Sequence, residues 1–165
     1  MSDHHGTIPP IMMLRSFLAV GSGYAAHLVA LFAATFLVGQ FYPEFVEYLQ
    51  IDDPERQKQL MADEPFQVMP RSMVWITVAL VGGVCLVIGA LVCWTAPFSP
   101  FAHAGFVAVI LFVSYLQTSI SQSAEQKTLT IIYMVVFPLA ILVGGRWAYV
   151  NGIVSATRRS SEPGE

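Results

Sequence analysis

The chain has 165 residues and a formal charge of −3, with 55% apolar and 12% charged residues, against about 25% charged in ordinary soluble domains. Its mean hydropathy is +0.62. Between Glu64 and Glu125 there is no acid, and Arg71 is the only Lys or Arg, so that stretch cannot furnish a water-facing surface; the charge pattern also indicates neither a nucleic-acid-binding face nor a polybasic lipid anchor.

The N-terminus is short and polar. His4 and His5 read as part of a solvated tail rather than a metal site, and Pro9-Pro10 separates that tail from the first apolar stretch. Crossing roughly 30 Å of hydrocarbon takes about 20 helical residues, and four stretches qualify: residues 16–42, 73–96, 101–120 and 129–150. Helix is the form that satisfies their backbone groups in lipid, since a barrel would alternate polar and apolar residues. Arg15 precedes the first stretch, whose apolar run is too long for a signal-peptide core. Within it, Ala19, Gly23, Ala26, Ala30 and Ala34 recur on one face and form a helix-packing seam. His27 falls near its middle, where an ionisable side chain is costly and prompts a functional hypothesis.

Residues 43–71 are the one sizeable extramembrane loop. They carry Glu44, Glu47, Asp52, Asp53, Glu55, Asp63 and Glu64 against Arg56, Lys58 and Arg71. Asp53-Pro54-Glu55 has the N-cap, first-position proline and first-turn acid of a helix start, so one short helix is expected from Pro54 to Met61. The acid spacing matches no calcium loop.

In the second span Gly82, Gly89 and Ala96 recur at seven-residue intervals, a second expected seam, with Cys85 and Cys93 nearby. These cysteines are about 12 Å apart along one helix and cannot bridge each other. Pro97-Phe98-Ser99-Pro100 is a tight turn that makes spans two and three an antiparallel hairpin. The third span groups Ser114, Gln117, Thr118, Ser121 and Glu125 on one side, a polar face that either lines a hydrated cavity or bonds another helix. A polar turn around residues 123–127 leads into the fourth span, which contains Pro138. Arg146 is expected to snorkel at its end, with Trp147 and Tyr149 as interfacial anchors, before a polar tail with Arg158 and Arg159.

Laying antiparallel spans side by side at about 1.5 Å per residue puts Cys85, Ser114, Tyr115 and Pro138 level with His27. A neutral His27 bonded to Ser114 or Tyr115 is then satisfied without a ligand. His103 lies about 15 Å away along the membrane normal, too far to share a haem with it. No CxxC marks a thiol oxidoreductase, and no acid lies inside a span to drive a proton-coupled pump. No cofactor or metal is expected.

The sequence thus reads as an all-α polytopic membrane protein, a four-helix transmembrane bundle in which residues 1–165 form one domain. The expected function is a non-enzymatic accessory or scaffold subunit packing against partner membrane chains or further copies of itself. The alternative is a small-solute carrier or pore acting as an oligomer, with His27, Cys85, Tyr115 and the Ser114/Gln117 face along the path. A third reading is a lipid or quinone enzyme using His27 as acid-base. The expected location is a bacterial inner membrane with both termini cytoplasmic, because Arg56 and Lys58 lie too far from the spans to weigh against Arg15, Arg146, Arg158 and Arg159.

Overall fold

The computed structural model describes residues 10–96, 99–120, 122 and 124–161, the side chains of 124, 125 and 153–161 aside. His4, His5, Pro9, Pro97, Phe98, Ser121 and Ser123 lie outside the described residues. The regular elements of the described residues are all helices: α1 (Pro10–Gly39), α2 (Pro43–Leu49), α3 (Pro54–Asp63), α4 (Pro65–Val68), α5 (Arg71–Thr95), α6 (Pro100–Ile120) and α7 (Ala124–Ser161). Within α1, α5, α6 and α7 lie four segments long and apolar enough to cross a membrane.

Proline sets most of the boundaries. It opens α1, α2, α3, α4 and α6, and Pro70 is the N-cap residue of α5, in keeping with its missing N–H and fixed φ at the first helical turn. Asp53 caps α3, its carboxylate accepting from the Glu55 and Arg56 amides at 3.0 and 3.4 Å. The loop nevertheless holds three helices where one was expected, because Pro43 and Pro65 start helices of seven and four residues too short to announce themselves by periodicity. The first span begins earlier than residue 16 and ends earlier than residue 42. Tyr42 is extended (φ −116°, ψ 111°), as the residue before a proline must tend to be, and the Phe45 ring occupies the space beside Gly39 where a side chain would stand. At the other end the apolar segment of α7 runs Gln126–Gly152, close to the expected 129–150, while the helix itself continues through Pro138 and on to Ser161; proline recurs only at Pro163.

α5 and α6 each pack on α1, on α7 and on one another. Contacts fix the directions. Gly82 approaches Val136 while Gly89 approaches Ile141 and Gly145, so α5 and α7 run parallel. Gly23 of α1 approaches both Val92 of α5 and Val107 of α6, while further along α1 His27 meets Cys85 and Tyr115; α1 is therefore antiparallel to α5 and parallel to α6.

The closest approach is between α5 and α7. A Cβ at Gly89 would run into the Ile141 carbonyl, and one at Gly144 into the Leu86 carbonyl, so each helix presents a glycine to the other's backbone. A Cβ added at Gly145 would stand only 2.7 Å from Ala104 Cβ, so the missing side chain lets α6 close on the same place. The expected seam at Gly82 is looser than at Gly89, since its nearest neighbour, Val136 Cγ1, is 3.8 Å from where a Cβ would be. In α1, Ala19 and Gly23 are buried and Ala30 is half-buried, but Ala26 is exposed and stands outside the α1 contact, one residue round the helix from His27.

Gly144→Ala and Gly89→Ala should each destabilise the fold by roughly 1–3 kcal/mol, the range for overpacking, because backbone cannot yield as a side chain can. Gly82→Ala should be neutral or stabilising, by up to about 1 kcal/mol of helix propensity. Melting in mild detergent reads all three; equal losses at 82 and 144 would remove the assignment of the seam.

Candidate functional site

The site is built on α1. Ala19, Gly23 and His27 are spaced four residues apart and all buried, so they share a face. At Gly23 an added Cβ would sit 2.7 Å from Val92 Cγ2, 3.4 Å from Val107 Cγ2 and 3.5 Å from Ile88 Cγ2. The missing side chain draws α1 against both α5 and α6, and one turn later this carries the imidazole into the interior with 0% of its surface exposed.

There His27 touches all three other long helices. Its Nε2 is 2.8 Å from Tyr115 Oη on α6 and its Nδ1 is 3.3 Å from Cys85 Sγ on α5. Its ring centroid lies 5.1 Å from that of Phe137 on α7. The shorter bond suits the phenol O–H as donor to Nε2, which leaves Nδ1–H to donate to the thiol sulfur. This tautomer is assigned from the bond pattern, and it satisfies both nitrogens of a neutral imidazole. Beside it Tyr24 Oη lies 3.4 Å from Ser114 Oγ, whose own O–H donates to the Ile110 carbonyl at 2.8 Å.

Of the residues expected at this depth, Cys85 and Tyr115 bond the histidine, while Ser114 stands one position along and meets Tyr24. Pro138 is next to the residue that makes the contact, Phe137. Gln117 is not brought to the group: it is exposed, roughly 160° round α6 from Tyr115. Thr118 is also exposed and donates to the Ser114 carbonyl at 2.8 Å. The polar face of α6 therefore divides, Ser114 toward α1 and Gln117 outward. Glu125's side chain is outside the described residues. His103 sits at the start of α6, its Nδ1 3.2 Å from the Ser99 carbonyl.

Aromatic residues complete the enclosure. Phe137 stacks on Tyr133 (5.2 Å, 19°), and Tyr115 meets Tyr133 edge-on at 6.0 Å. Sequence reasoning passed over Tyr133 and Phe137, although their four-residue spacing puts them on one face of α7 and the depth estimate fell on the neighbouring Pro138. The Tyr133 hydroxyl is buried with no hydrogen-bond partner among the described residues, and so is that of Thr77. Among the described residues no group of three or more His, Cys, Asp or Glu side chains is placed to hold a metal. Both ring nitrogens of the imidazole, Nε2 as acceptor and Nδ1–H as donor, are committed to helix-to-helix bonds, so the arrangement acts as a junction between helices; acid-base work on a substrate would require breaking one of those bonds.

His27→Leu should destabilise the fold by roughly 1–3 kcal/mol, the penalty for a stranded buried hydroxyl, with His27→Gln losing less because an amide retains one bond. The tyrosines should separate: Tyr115→Phe should lower the melting temperature in detergent, and Tyr133→Phe should leave it unchanged or raise it, its hydroxyl having no bond to lose. Equal behaviour of the two would contradict the hydrogen-bond assignment. A scan of the chain against protein-family models finds no match, and searches of curated proteins and of solved structures likewise return none.

Proposed function

We propose that the chain is an integral membrane protein whose four long helices form a transmembrane bundle, and that it serves as a non-enzymatic packing subunit for other membrane chains or further copies of itself. Support for the membrane comes from what the long helices leave uncovered: Phe17, Phe32, Phe36, Trp75, Trp94, Phe106 and Trp147 are all more than half exposed. Such a surface is a liability in water and ordinary in lipid. The proposed location is a bacterial inner membrane with both termini cytoplasmic, for which the support is the charge distribution around the spans.

The observation that carries the packing reading is a groove between α1 and α5 of about 300 Å³, lined by Ser22, Gly23, Ala26, Leu91 and Thr95 among others. Only 17% of the apolar window of α1 is buried within the chain, the least of the four. Small residues beside a groove on the least-covered helix are what a second helix needs for close approach. The carrier reading draws no comparable support, because it requires His27 and Gln117 along one path, and one is sealed while the other faces outward.

Ala26 is the position to test. Ala26→Cys, oxidised in native membranes, should give a cross-linked species, since Cys85 and Cys93 are both buried; its mass distinguishes a second copy from a different chain. Ala26→Trp should fill the groove and shift the protein to a smaller species on native gels while leaving its melting temperature within a few degrees. Absence of cross-linking together with an unchanged native size for Ala26→Trp would refute the packing reading.

A further inference from the structure

The loop between α1 and α5 folds into a cleft of about 730 Å³, within the range of small-molecule sites. Its lining includes Glu44 and Glu47 of α2, Arg56 of α3, and the half-buried Tyr48, Leu60 and Phe66. The three charged side chains are exposed, and among the described residues no ion pair joins them to one another or to other groups. A second cation lies at the margin, the Arg71 guanidinium standing 5.4 Å from the Phe66 ring centroid. The cleft has structural support of its own: Gln57 Nε2 donates to the Tyr48 and Ile51 carbonyls, tying α3 to α2 at 3.2 and 2.9 Å. Pro70, the N-cap residue of α5, is also in its lining.

We propose that this cleft binds the head group of a zwitterionic phospholipid bearing a primary ammonium, with the phosphate on Arg56 and the ammonium between Glu44 and Glu47. The proposal rests on the membrane reading above, which puts the cleft at head-group depth, where α1 leaves and α5 enters the bilayer. Three features select the ligand. Charges of both signs line one cleft without pairing, so a partner carrying both signs complements them. The loop as a whole has seven acids against three bases, so an anionic head group meets repulsion that an added ammonium relieves. An ammonium offers three N–H donors to two carboxylates in charge-assisted bonds, which a quaternary choline cannot do. The apolar side chains of Leu60 and Phe66 receive the glycerol and the first methylenes.

Native mass spectrometry of the full chain in mild detergent, titrated with phosphatidylethanolamine, phosphatidylcholine and phosphatidylglycerol of identical acyl chains, tests this. Phosphatidylethanolamine should bind at least about tenfold more tightly than phosphatidylglycerol, which is about 1.4 kcal/mol. Glu44→Gln combined with Glu47→Gln should erase the preference for ethanolamine over choline, Arg56→Gln should weaken both of those lipids alike, and Lys58→Gln, outside the cleft, should change neither. Equal binding of the three lipids, or an ethanolamine preference that survives in the doubly substituted chain, overturns the proposal. So does free phosphoethanolamine competing at the lipid's own concentration, which would make the ligand a soluble one. Alkaline carbonate extraction separates the two readings: a wild-type chain that stays in the membrane yet shows no lipid preference removes the head-group site alone, whereas a chain released by carbonate removes both.

Discussion

One imidazole organises the interior. His27 is the point at which α1 meets each of the other long helices, through a phenol, a thiol and an aromatic face. A buried polar group is tolerable only when its bonds are made, and here the bonds can be made only if α5 and α6 stand at one particular height relative to α1. Apolar packing alone does not define that height well, since helices faced with Val, Leu and Ile can slide by a turn with little loss. Two directional bonds at one depth penalise every other register.

Glycine contacts act in a complementary way. Gly23 brings α1 close enough for His27 to reach its partners, and Gly89 with Gly144 lets α5 and α7 touch backbone to backbone. The first set positions the polar junction, and the second holds Phe137 and Tyr133 against it from the opposite side. Distance is thus fixed by residues without side chains, and height by residues with polar ones.

The four long apolar helices are legible from hydropathy, and the level of Cys85 and Tyr115 with His27 from helical rise alone, because depth along packed helices is a one-dimensional quantity. Facing is not. The seven-residue stripe of Gly82, Gly89 and Ala96 could not say which member meets a complementary glycine, since that depends on Gly144 of another helix. The wheel groups Gln117 with Ser114 on one side of α6 but cannot tell where α1 lies, and of the two it is Ser114 that meets α1, through Tyr24. In the loop, α3 declared itself by its Asp53 cap, while α2 and α4 are held by proline and by packing on neighbouring elements that sequence periodicity does not reveal.

The parallel pairing of α5 with α7 has a consequence for how the chain is made. A growing polypeptide emerges N-terminus first, so α5 is complete before any of α7 exists, and the intervening α6 must be in place before the two can meet. Throughout that interval the Gly89 face has no backbone to close on and is open to whatever helix is nearby. The tightest joint among the described residues therefore cannot close until α7 has been made.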